Sequence, residues 1–198
     1  MDLGTLQSQS RFHLHQKITM MVNRYQVFAD AQGSPGELVA FVEQKRMAFR
    51  EKVTFFTDES KTTVLATFTA RKVLDVSGGY DVVDGAGQPL GLFRKLFKES
   101  LLRSTWSLEQ PGLEPIAVTE RSLAIAIFRR IWGFIPYAND LPFFLRFHFD
   151  WVSAGRAVGS FNKVTRLRDH YVIELDEPTL DRRLAIAQSV ALDALQSR

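Results

Sequence analysis

Two basic clusters stand out among the side chains able to do chemistry. Lys45, Arg46, Arg50 and Lys52 form the first, and Arg94, Lys95, Lys98 and Arg103 the second. The second carries a net +3 within ten residues once Glu99 is subtracted, and it alternates with Phe and Leu. Cations interleaved with apolar side chains suit an anionic phospholipid surface, where each is worth about 1 kcal/mol near a charged leaflet. The same spacing describes a short amphipathic segment that closes one end of a core while its charges are merely solvated. A third cluster is aromatic: Trp132, Phe134, Ile135, Tyr137, Phe143 and Phe144. Exposed, it would mark a membrane or protein-partner surface, self-association included; folded inward, it would simply cap the core.

Other chemistry finds little support. His13 and His15 lie two apart and on a strand would share a face, but no Cys is present and His148 and His170 are remote in sequence, so no metal site is expected. There is no nucleophile elbow, zinc-protease helix, P-loop or dinucleotide fingerprint, and Gly85, Gly87 and Gly91 sit at a hairpin with the wrong spacing. Asp58–Glu59 and Asp176–Glu177 flank strand ends, where solvated turn acids are the ordinary explanation. No enzyme and no cofactor are expected. Nucleic acid ranks below lipid as a partner, because no stacking platform accompanies the basic residues.

Sixteen Phe among 198 residues favour pleated, half-buried strands. The length is compatible with one sizeable β-domain over residues 1–198, and the absence of Cys fits the cytosol, with peripheral membrane contact as an option. No apolar run reaches the roughly 18 residues that span a bilayer. Period-2 alternation between turn signals gives three modules. Tyr25 to Phe28, a turn at Asp30–Gly33, and strands from Glu37, around Phe55 and from Thr63 make the first. Tyr80 to Val83, a turn at Asp84–Gly87, and strands from Pro89, around Trp106 and from Pro115 repeat it about 50 to 55 residues later. Strands from Phe147, Ala157 and His170 make a third module that ends in a helix in place of a fourth strand. Repetition in thirds favours closure into a barrel, which removes exposed edges.

Two segments depart from this pattern. Leu92 to Leu102 reads as a short amphipathic basic helix or an irregular strand connection, and residues 120–144 as an insertion that opens with a helix and continues as an aromatic loop. The last element, Leu184 to Leu195, is apolar on nearly every side, so it must be buried on nearly every side, with Asp181 or Thr179 as its cap.

These modules resemble the superfamily that joins Tubby C-terminal domains, phospholipid scramblases and LURP-one-related proteins. The resemblance rests on the Tyr-x-Val, Asp-x-x-Gly and Gly-x-Phe-x-Lys pattern at Tyr80 to Lys95, its looser copies at Tyr25 to Lys45 and Phe147 to Lys163, and the apolar terminal helix. It implies a mainly β fold, a closed antiparallel barrel of about a dozen strands around a buried C-terminal helix. It also implies a non-enzymatic binding module. The scramblase-type calcium segment and Cys cluster have no counterpart here, and Tubby-type lipid-binding residues align to no particular position.

Overall fold

Alternation of the kind seen at β2 (Val22–Ala31) builds the barrel wall: Tyr25, Val27 and Ala29 are buried, while Arg24, Gln26 and Phe28 point away from the core. The structure is a computed structural model that describes residues 1–18, 22–45, 52–71, 79–96, 103–122, 148–164 and 169–196. After a short helix, α1 (Leu3–Ser8), come β1 (Arg11–Ile18), β2, β3 (Ser34–Lys45), β4 (Lys52–Phe56), β5 (Val64–Ala70) and β6 (Gly79–Asp84). β7 (Pro89–Lys95), β8 (Thr105–Glu109), β9 (Ile116–Glu120), β10 (His148–Ser153), β11 (Arg156–Lys163), β12 (Asp169–Leu175) and α2 (Arg182–Gln196) follow. Each strand pairs antiparallel with its successor, and β1 pairs with β12 to close a twelve-stranded barrel, as expected.

The three modules correspond to β2–β5, β6–β9 and β10–β12. The third, which lacks a fourth strand in sequence, gains one from the opposite end of the chain. β1 lies between β12 and β2, with Phe12 opposite Ile173 and Leu14 opposite Tyr171. The first two module turns are fixed as their sequences require. Asp30 accepts from the Gly33 amide at 2.9 Å, and Asp84 accepts from Ala86 and Gln88 at 2.9 and 2.8 Å.

The amphipathic-helix reading of Leu92 to Leu102 is corrected at its start. Leu92 to Lys95 continue β7, with Leu92 between Asp81 and Glu109 and Lys95 beside Trp106. Helical spacing and strand alternation coincide over so short a run, and the partner strands decide between them. Residues 97–102 of that reading, and 123–144 of the expected insertion, lie outside the described residues.

α2 fills the barrel. Nine consecutive residues, Leu184 to Leu192, have no solvent exposure, and fully burying each Leu, Ile or Val among them is worth about 1.5–3 kcal/mol. Asp181 is its cap: the carboxylate accepts from the Arg183 amide at 2.8 Å, and the Asp181 carbonyl accepts from Ala185 at 3.1 Å. The helix backbone runs closest to β5, β6 and β7. Gly91 makes that approach possible, since a Cβ there would stand 2.3 Å from the Glu109 carbonyl oxygen and 2.8 Å from Leu184 Cδ2. On the far side the gap to the wall is filled by large rings, among them Trp151, Phe149, Phe161, Tyr171, Tyr25 and Phe12, all 1% exposed or less.

Candidate functional site

Antiparallel order sorts the connections between two ends of the barrel. The links 19–21, 46–51, 71–78, 96–104, 121–147 and 164–168 leave and re-enter the wall at one end. Their sequences hold twelve Lys or Arg against four Asp or Glu. The links 32–33, 57–63, 85–88, 110–115, 154–155 and 176–181, with the first ten residues, belong to the other end and hold one Lys against seven Asp or Glu. By sequence, then, the links that join strands at the C-terminal end of α2 are basic in composition and those at its N-terminal end are acidic. Each sign also matches the helix macrodipole, though that dipole amounts to only about half a charge per end.

Seven of the eight basic residues singled out from sequence lie on or beside links of the basic end. Lys45 and Lys52 border the β3–β4 link, and Lys52 and Arg103 are exposed. Arg46, Arg50 and Lys98 fall within links of this end but outside the described residues. Arg94 departs from the set: its Nε donates to Glu109 at 3.0 Å on the barrel wall, which neutralises it. Lys95 is half-buried with its Nζ 6.0 Å from the centre of the Trp106 ring. Trp132, Phe134, Tyr137, Phe143 and Phe144 belong to the β9–β10 link of the same end and lie outside the described residues. Val164 is an exposed apolar side chain there, at 41%.

The Gly-x-Phe-x-Lys pattern proves to be a repeated device. Gly91, Phe93 and Lys95 on β7 match Gly159, Phe161 and Lys163 on β11. In both, the Gly lets the neighbouring backbone approach, the Phe enters the core, and the Lys lies over the ring of its cross-strand partner, Trp106 or Tyr171. Lys163 stands 5.6 Å from the Tyr171 ring, within the range of a cation–π contact. Beneath it, Asp193 of α2 accepts from the hydroxyls of Tyr25, at 2.8 Å, and Tyr171, while Gln16 donates to the Tyr25 oxygen at 2.7 Å. This buried network anchors the helix to β1, β2 and β12.

Opposite, a cavity of about 380 Å³ opens beside α1, bordered by Leu3, Leu6, Leu38, Val64, Leu65 and Arg183. Its cation is already engaged, Arg183 lying 2.7 Å from Asp181 and 3.8 Å from Asp84.

A histidine cluster on the outer wall was not visible in the sequence. His13 and His15 of β1 face the same side, and strand register sets His170 of β12 directly opposite His15. His13 Nδ1 is 3.1 Å from His170 Nε2, its Nε2 is 2.7 Å from Asp30 Oδ1, and the His15 and His170 rings meet edge-on with centroids 4.4 Å apart. Burial, reinforced by neighbouring imidazoles, lowers the pKa of His15 and His170. The Gly33 amide, then the His13 hydrogen bond, lowers that of Asp30. Asp30 holds the nitrogen of His13 remote from His170, so its carboxylate does not converge with both imidazoles. Among the described residues no group of three or more His, Asp or Glu is arranged to hold a metal ion, and no helix is long and apolar enough to cross a membrane.

A closed twelve-stranded antiparallel barrel around an apolar C-terminal helix is the architecture anticipated for the Tubby-like superfamily. Within it, the LURP-one-related family model matches residues 38–193, and the chain belongs to that family. Comparison with curated proteins yields no relative. The family is generally non-catalytic and points to a non-enzymatic binding module.

Proposed function

We propose that this barrel is a binding module that docks its basic end onto anionic phospholipid. The observation that carries the reading is the division of charge in the link sequences: twelve Lys or Arg against four acids at one end, with Arg71 and Arg121 of the twelve paired to Asp81 and Asp150 of the wall, and one against seven at the other. Long-range attraction to a negative surface turns the molecule so that the basic links lead, and each Lys or Arg that reaches the headgroups adds about 1 kcal/mol. Val164 and the aromatic residues of the β9–β10 link supply apolar side chains on the same end for the interface itself.

Sedimentation with liposomes of rising phosphatidylserine content tests the proposal. Binding rises with anionic fraction and falls as salt screens the charges. The pair Lys52→Glu and Arg103→Glu weakens it at least tenfold, while Lys61→Glu at the acidic end leaves it unchanged. Salt-insensitive binding, or equal loss from both sets of variants, would refute it.

A further inference from the structure

We infer that His13, His15 and His170 form a proton-operated latch on the seam that closes the barrel, holding one proton safely and loosening β1 from β12 when a second arrives. Asp30, an ionised carboxylate, can only accept, so His13 Nε2 carries the hydrogen that lies on Asp30 Oδ1 at 2.7 Å. In neutral His13 the other nitrogen, Nδ1, is therefore bare, and His170 Nε2–H must donate to it across 3.1 Å. A first proton fits on His13 Nδ1 if His170 moves its own hydrogen to Nδ1 and presents a bare Nε2. The imidazolium then sits against Asp30 as a matched pair.

A second proton has no such place. On His170 it would put two cations with ring centroids 5.4 Å apart, and on His15 it would face the His13 cation on the same side of β1. The surrounding charge gives little relief. Along the same outer face β1 adds Arg11 and Lys17, and β2 adds, besides Asp30, Arg24 opposite Lys17. β12 adds Glu174, and β11 adds only the uncharged Ser160 and Asn162. Glu174 is shared with Arg11 at 3.7 Å and with the Ser160 hydroxyl at 3.0 Å, Asp30 also faces Arg11 at 3.5 Å, and Arg24 is held by Glu43 of β3. His13 is 2% exposed, so water does little to screen the repulsion.

The place of the cluster turns protonation into a structural event. His13 and His15 occupy the strand whose pairing with β12 joins the two ends of the chain, and His15 is directly opposite His170 in that ladder. The direction in pH follows from linkage. His15 and His170 bind protons less readily in the folded chain than the ordinary value near 6.5 allows. Above that value both folded and unfolded chains hold them neutral and the seam keeps its full stability. As the pH falls below it, the unfolded chain gains protons that the native seam resists, and stability is lost.

Hydrogen exchange of the full chain at pH 7.5 and 5.5, corrected for the intrinsic pH dependence of exchange, tests the latch. Protection in β1 and β12 should drop at least tenfold on acidification relative to β5–β8, and His15→Gln with His170→Gln should abolish the difference. Unchanged protection, a loss spread evenly around the barrel, or the same drop in the double variant would overturn the inference. Should that variant fail to fold, NMR titration of the imidazole protons in the unaltered chain decides. Coupled titration of the three rings, with His15 and His170 below the ordinary range, supports the latch, and three independent titrations near 6.5 refute it.

Discussion

Lys95 illustrates how strand register reassigns a residue that spacing alone had placed. Alternation of Arg94, Lys95 and Lys98 with Phe and Leu suggested the solvated face of a helix, yet β7 carries Lys95 to the Trp106 ring and Arg94 to Glu109. The cross-strand partners that decide this lie more than ten residues away, so local pattern could not distinguish the two outcomes. Gly91 is the most constrained position of this strand. Gly91→Ala pushes a methyl into the Glu109 carbonyl and Leu184, and should cost about 2–3 kcal/mol, read as a fall in urea midpoint at constant slope. Tyr25→Phe removes one hydroxyl from the buried Asp193 carboxylate and the acceptor of Gln16, and should cost about 1–3 kcal/mol by the same measurement. A Tyr25→Phe chain as stable as the parent would show that the network contributes nothing to anchoring α2.

At the scale of elements, the strands β2 to β12 were legible wherever apolar alternation met a turn signal, and α2 wherever apolar residues left no polar face. The spans agree closely: Leu184 to Leu195 was expected as helix and Arg182–Gln196 is found. β1 was the omission. Phe12 and Leu14 are its buried apolar side chains among those described, and Arg, His, Gln and Lys supply five of its eight residues, so alternation gave a weak signal. Its role is set by pairing with β12, more than 150 residues away, which no local pattern encodes. The histidine cluster was hidden for the same reason, because His170 joins His13 and His15 only through that ladder. The family match begins at residue 38, after β1 and β2, but closure requires both strands. A fragment of residues 38–198 should therefore fail to give a cooperative thermal transition, its β3 and β12 edges being left unpaired. Truncation before Leu184 should unfold the barrel as well, since it empties the core of the residues Leu184 to Leu192. A soluble, cooperatively folding product in either case would contradict the interdependence of wall and helix.

For the whole molecule, the deciding property is the division of charge between the link sequences of the two ends. Its basic half was partly legible, because two basic clusters occupied matching places in successive modules. Its acidic half was not, because Asp2, Asp58, Glu114 and Asp181 become neighbours of one end only when the strand order is known. Charge separation of this kind makes docking orientation the property to measure. The chain has no Cys, so a single environment-sensitive dye can be placed at Val164→Cys on the basic end or at Glu114→Cys on the acidic end without competing thiols. With phosphatidylserine liposomes, the dye at 164 should shift to the blue and lose exposure to an aqueous quencher, while the dye at 114 remains unchanged. A shift at 114, or binding that leaves the dye at 164 fully accessible to the quencher, would contradict docking through the basic end.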